Sequence, residues 1–165
     1  RGETFFTHRV LLAIGRRGTP RKLDVPGEQL EKVAYKLLEP ELITGKNIMV
    51  VGGGDSAIES ALLLADENNV ILSYRSEKFN RIKPLNAQNI SNAMDTGKLK
   101  VIFESNVKEI TEKHVHLTLK DGLTLTLEND LVYIFAGGEL PTQFLQKAGI
   151  EISKRFNYTM LSHKK

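Results

Sequence analysis

The chain contains no cysteine. That absence excludes a disulfide framework, a cysteine-held zinc or iron–sulfur site, a thiol nucleophile and a dithiol redox centre within this stretch. Long hydrophobic runs are missing too: segments such as Val10-Leu11-Leu12-Ala13-Ile14 and Ala61-Leu62-Leu63-Leu64-Ala65 fall far short of the roughly 20 apolar residues a membrane helix needs. Nor is there a strong excess of one charge. With 23 basic and 20 acidic side chains the net charge is +3, too small to imply a nucleic-acid surface. Internal repeats and low-complexity segments are absent, and no signal-peptide pattern follows Arg1. Because the first residue is not Met, the chain reads as a processed product or an excised piece. Two sequons, Asn89-Ile90-Ser91 and Asn157-Tyr158-Thr159, lack secretory context and read as chance. The expected compartment is a reducing cytoplasm.

What remains is an ordinary globular composition, 41% hydrophobic and 26% charged over 165 residues, which predicts one core. Hydrophobic periodicity orders the elements. A buried strand is expected over His8 to Ile14, ending in the turn-rich Gly15-Arg16-Arg17-Gly18-Thr19-Pro20, a hinge candidate. A connector with a short amphipathic helix over Gln29 to Leu38 follows, closed by Gly45. The run Asn47 to Val51 reads as a strand that enters Gly52-Gly53-Gly54, and Asp55 to Glu67 as a helix with Ile58, Leu62 and Ala65 on one face. A second strand is expected over Val70 to Tyr74, and a helix over Pro84 to Thr96 that starts on proline.

Beyond Gly97 the pattern changes. Leu99 to Phe103 reads as a further core strand, and Val115, Leu117 and Leu119 alternate with polar residues up to Asp121-Gly122. Leu123, Leu125 and Leu127 resume the alternation, so an antiparallel hairpin is expected there. Leu131 to Phe135 is continuously apolar, as in a strand covered on both faces of a parallel sheet; it ends in Ala136-Gly137-Gly138. A helical turn over Thr142 to Ala148 and a basic tail from Ser153 complete the chain. The fold class predicted is α/β: a Rossmann-like, three-layer domain with a parallel sheet and an inserted antiparallel β-meander.

Gly52-Gly53-Gly54-Asp55-Ser56-Ala57 satisfies the dinucleotide fingerprint G-x-G-x-x-A and lies between a predicted strand and a predicted helix, where the chemistry requires it. Gly52 permits the tight turn, Gly54 removes a Cβ that would obstruct a pyrophosphate, and Ala57 lets the helix approach the strands. The helix start then offers unpaired N–H groups and partial positive charge to a diphosphate. The residue that discriminates between dinucleotides is expected about 20 residues further on, at Tyr74-Arg75. An acidic residue there would bind ribose hydroxyls; Arg75, with Arg81 second, instead suits a 2′-phosphate. NADPH is therefore preferred, NADH is the second candidate, and FAD is not expected in this site. Lys78 and Lys83 read as solvated. Glu59, one turn after Asp55, is an equal choice between a nicotinamide neighbour and a solvated carboxylate; Asp55, near the helix start, can also be a plain helix-dipole or cap residue. His114 and His116 share a strand face but lack a third ligand, so no metal site is assigned. No catalytic constellation is evident, and nothing suggests hydrolysis.

These blocks together resemble the two-dinucleotide flavoprotein reductases similar to thioredoxin reductase, in particular the cysteine-less, bacillithiol-disulfide-reductase-like relatives. The resemblance rests on Leu12-Ala13-Ile14-Gly15 with Gly18-Thr19-Pro20, Val25-Pro26-Gly27-Glu28, Val50 to Glu59, Tyr74-Arg75, and Ala136-Gly137-Gly138-Glu139-Leu140-Pro141-Thr142. It implies an NADPH domain inserted into an FAD domain: residues 1–46 as a stub of the FAD domain and connector, 47–138 as the NAD(P)-binding domain, 139–165 as the return stub and tail. The site residues implied are Gly52, Gly53, Gly54, Asp55, Ser56, Ala57, Glu59, Tyr74, Arg75, Arg81, Ala136, Gly137 and Gly138. Two departures matter. The Cys-x-x-Cys of thioredoxin reductases has no counterpart around Val33 to Leu42, and their His-Arg-Arg is here Tyr74-Arg75-Ser76, leaving one cation fewer. The partners implied are a nicotinamide dinucleotide and the FAD domain of a parent chain, and self-association is expected through exposed apolar residues such as Phe5, Phe6 and Phe144. Alone the piece would bind nucleotide and catalyse nothing. The alternative is a non-catalytic NAD(P)-sensing module.

Overall fold

The computed structural model describes residues 2–11, 20–138 and 142–151. It divides into two compact units, Pro20–Gly138 and a second made of the flanking segments. The expected turn cluster before Pro20, the last three residues of the expected first strand, and the tail from Ser153 lie outside the described residues. Residues 8–11 form no strand and are exposed, because no strand among the described residues pairs with them. The described part of the return segment is a helix at Thr142–Lys147.

The Pro20–Gly138 unit contains eight strands and two α-helices. They are β1 (Val33–Ala34), β2 (Asn47–Val51), α1 (Asp55–Leu64), β3 (Asn69–Ser73), α2 (Pro84–Asp95), β4 (Lys100–Ile102), β5 (Ser105–Ile110), β6 (His114–Leu119), β7 (Thr124–Glu128) and β8 (Leu131–Ile134). Five of the strands form an all-parallel sheet in the order β1-β8-β2-β3-β4. The remaining three form an antiparallel sheet, β5-β6-β7.

Why the central strands are apolar throughout follows from strand geometry, since successive side chains point to opposite faces. Ile48 and Val50 of β2, Val70 and Leu72 of β3, and Tyr133 of β8 pack with Ala57, Ile58, Ala61 and Leu64 of α1 and with Ile90 and Ala93 of α2. The alternate residues Met49, Val132 and Ile134 face the other way, against Val107, Ile110, Val115 and Leu117 of the antiparallel sheet. Helices, parallel sheet and meander are therefore three layers around two cores. The helix face differs slightly from expectation: Leu62 is only partly buried, and Ala57, Ala61 and Leu64 take its place. Among the described residues no helix is long and apolar enough to cross a membrane.

Two elements depart from the sequence reading. The stretch 29–38 is not a helix; it runs through successive turns, with Leu30 N–H bonded to the Gly27 carbonyl and Val33 N–H to that of Leu30, and then adds β1 to the sheet edge. Its apolar residues have helical spacing but serve different cores, Leu30 and Val33 one and Ala34 and Leu37 the other. From Pro20 onward the segment belongs to the same compact unit as the sheet. The strand β5 was not anticipated.

Val25-Pro26-Gly27-Glu28 forms the joint between this edge and the meander. Gly27 has φ +81°, and a Cβ there would overlap the Ile110 carbonyl oxygen, while Ile110 N–H donates to Pro26 O at 2.9 Å. Glu28 is buried. Its carboxylate accepts the N–H of Leu23 at 2.7 Å, the N–H of Asp24 at 2.7 Å and the Tyr35 hydroxyl at 2.7 Å. Burial by itself pushes this carboxyl up, but the donors outweigh it, so the group titrates below its ordinary value. Tyr35, desolvated and facing this anion, is pushed up to about 12.

A carboxyl lowered by folding stabilises the folded state above its unfolded pKa, and that stabilisation is lost as pH falls through the folded value. Glu28→Gln should therefore cost about 2 kcal/mol at pH 7, and the gap from the unsubstituted chain should close as pH falls below the ordinary value of 4.5. Urea unfolding of both chains at pH 7 and in acid checks this; a pH-independent gap would contradict it.

Candidate functional site

The parallel strands all present their carboxyl ends on one side of the sheet. β2 is central there, because the chain winds away from it through β3 to β4 and later returns on its other flank as β8. In open α/β sheets such a reversal leaves a crevice at the carboxyl ends, where ligands bind. Gly52-Gly53-Gly54 lies at this point.

Each glycine has its own physical reason. Gly52 has φ +144°, and a Cβ on it would come within 2.6 Å of the Phe135 carbonyl oxygen and 3.1 Å of the Ala57 methyl. Its N–H donates to Ser73 O at 3.0 Å, and Phe135 N–H donates to Val51 O at 2.7 Å. Backbones of three strands and the first turn of α1 meet at this residue, which is why position 57 is a fully buried alanine. At Gly53 a Cβ would overlap the ring of Tyr74. Gly54 is different. Its φ of −101° and ψ of 175° are open to any residue, and a Cβ there would meet no atom within 4 Å. It is also the first residue of α1's cap, with no side chain to bond the leading N–H groups, which have no partner inside the helix. Ser56 sits exposed in that first turn.

The loop over residues 75–83 brackets Gly54. It begins at Tyr74, whose ring lies on Gly53, and ends at Lys83, whose N–H donates to Asp55 Oδ1 at 2.9 Å. Midway, Phe79 stacks on Tyr74 with ring centres 5.4 Å apart and meets Phe103 edge-on at 5.1 Å. Arg75 and Arg81 are exposed on this loop, and neither forms an ion pair among the described residues.

Asp55 and Glu59 are engaged with α2 rather than with their own helix start. Asn86 Nδ2 donates to Asp55 Oδ1 at 2.6 Å and to Glu59 Oε1 at 2.9 Å, and Lys83 Nζ reaches Glu59 Oε1 at 3.3 Å. The Lys83 N–H, then Asn86, hold the Asp55 carboxyl below its usual range. Asn86, then Lys83, do the same for Glu59. Asn86 is buried and belongs to no motif, so sequence reasoning passed over it; its third position in a helix begun by proline was the available signal.

Ala136-Gly137-Gly138 continues β8 beside the glycine turn. Gly137, at φ +89°, accepts the Arg21 N–H at 2.9 Å, and Gly138 forms an antiparallel bridge with Pro20. His114 and His116 share a face of β6, ring centres 6.3 Å apart, and His116 Nδ1 pairs with Thr126 Oγ1 at 2.9 Å. Among the described residues no three potential ligands gather around a metal position.

Known proteins match this arrangement. Residues 1–164 match the family model described as pyridine nucleotide-disulphide oxidoreductase. The chain is 31% identical over 92% of its length to the bacilliredoxin reductase Bdr of Bacillus subtilis, covering 48% of that protein. It is 30% identical over 87% of its length to a ferredoxin–NADP reductase of Ignicoccus hospitalis, again covering 48%. It thus spans about half the length of these curated relatives. Among solved structures, the bacillithiol disulfide reductase Bdr of Bacillus cereus superposes with a TM-score of 0.78 at 33% identity, over 82% of this chain and 42% of that one. The Lactococcus lactis thioredoxin reductase gives 0.69 at 28% identity, over 79% and 45%.

The close contact at Gly53 yields an expectation. Gly53→Ala should destabilise the unit by about 1–3 kcal/mol, the usual cost of overpacking, and Gly53→Ala combined with Tyr74→Ala should cost less than the two changes summed. Thermal unfolding of the two single variants and the double variant checks this; additive losses would contradict the contact.

Proposed function

The chain belongs to the pyridine nucleotide-disulphide oxidoreductase family, and within that family we propose that its Pro20–Gly138 unit binds NADPH and presents the nicotinamide to an FAD held outside this unit. The observation that carries the reading is Gly54. Neither its backbone angles nor any neighbouring atom requires a glycine, whereas a diphosphate drawn up to the start of α1 does. The residues around it fit the group. Gly52 to Gly54 with the first turn of α1 would hold the diphosphate, Ser56 lies within that turn, and Ala136 to Gly138 flank it. Arg75, with Arg81, would take the 2′-phosphate as a charge-assisted contact. Tyr74 would wall the adenosine side.

When bound, the coenzyme supplies the hydride; the protein's part is to bind, orient and shield it. Asp55 and Glu59 do not meet the coenzyme directly in this reading. The naming of ferredoxin–NADP reductases among the relatives supports NADP(H) over NAD(H). The acceptor that the reduced flavin serves lies with residues beyond this unit.

Titration of the chain with NADPH, followed by its fluorescence, should give saturable binding that is tighter than for NADH. Arg75→Ala should weaken NADPH by about 1–3 kcal/mol and spare NADH, equal losses refuting the 2′-phosphate role. Gly54→Val should abolish binding of both while the chain stays folded, since its side chain enters open space and only the poorer helix cap lowers the melting temperature slightly. Normal binding by that variant would overturn the site. In a longer parent protein, yellow flavin bleached by NADPH supports the reductase reading, and a colourless protein supports an NAD(P) sensor.

A further inference from the structure

Two carboxylates stand beside the position assigned above to a diphosphate, and the cations needed for a 2′-phosphate lie exposed on the adjoining loop. Left free, Asp55 and Glu59 would repel the incoming phosphates and attract Arg75 or Arg81 into internal ion pairs. The structure holds both side chains in place instead. Both carboxylates are turned to α2, where one buried amide, Asn86 Nδ2, bridges them at 2.6 and 2.9 Å. The Lys83 N–H and ammonium complete the set at 2.9 and 3.3 Å. The same contacts tie down the end of the 75–83 loop, whose start is fixed by Tyr74 on Gly53 and whose middle is fixed by Phe79. The outcome is a loop held at three points, with neither arginine in an ion pair among the described residues.

We propose that Asn86 is a positioning residue for coenzyme choice: by sequestering Asp55 and Glu59 against the start of α2, it keeps Arg75 and Arg81 available to a 2′-phosphate. The proposal rests on the NADPH reading above. Asn86 touches no part of the coenzyme; it acts through the carboxylates and the loop.

Asn86→Asp is the discriminating variant. It keeps the shape, and an acidic side chain in the first turn of a helix is favourable to the helix, but it cannot donate and adds a third negative charge to the pair. NADPH affinity should fall about tenfold while NADH affinity stays within about twofold, so that the preference collapses. Trypsin should also cut faster after Arg75, Lys78 and Arg81. Asn86→Ala adds no charge and leaves the Lys83 N–H on Asp55, so its preference should fall in the same direction to a smaller degree. A merely structural role would weaken both coenzymes together. An unchanged NADPH-to-NADH ratio in either variant, or parallel losses for both coenzymes, overturns the proposal. A parent chain that binds neither coenzyme, or binds them equally, overturns the NADPH reading itself and is seen before any variant is made.

Discussion

The unit is organised by the close approach of main chain to main chain at Gly52. The Phe135 carbonyl, the Ser73 carbonyl and the Ala57 methyl all converge on a residue with no side chain. A methyl group there would separate β2 from β8 at their carboxyl ends and lift α1 from the sheet. Close packing transmits such a displacement, because interiors hold few voids to absorb it. The crevice, the open face of Gly54 and the position of the loop that starts at Tyr74 all follow from this contact.

Much of that architecture was legible because it is written locally. The β-branched run into three glycines, the proline that starts α2 and the Asp-Gly turn between β6 and β7 each constrain their own backbone, whatever surrounds them. The elements whose sequence pattern differs from their structure depend on distant partners. Leu30, Val33, Ala34 and Leu37 mimic one helix face, yet they feed two separate cores, a division only the sheet decides. β5 was hidden because its register shifts between Val107 and Glu109, which breaks the alternation that marks a half-buried strand.

The site divides in the same way. The glycine turn and Arg75 follow a spacing rule fixed by one strand–turn–helix–strand unit, so counting reaches them. In sequence Asp55 and Glu59 are acids near a helix start, but which helix they serve depends on the packing of α1 against α2. Asn86 carries no signature in the chain because its function is to satisfy other residues' charges, and such roles show only in three dimensions. The Pro-Gly-Glu block has a packing role within the unit: the glycine clears Ile110 and the carboxylate ties down the Leu23–Asp24 backbone.

The bridge between Pro20 and Gly138 gives the unit an entrance and an exit side by side, sewn together by the Arg21 N–H on the Gly137 carbonyl. A module with neighbouring ends can be spliced into a loop of some other fold without prising that loop apart, and removed again with little scar. Geometry of this kind lets the chain on either side of the unit vary while its interior stays the same.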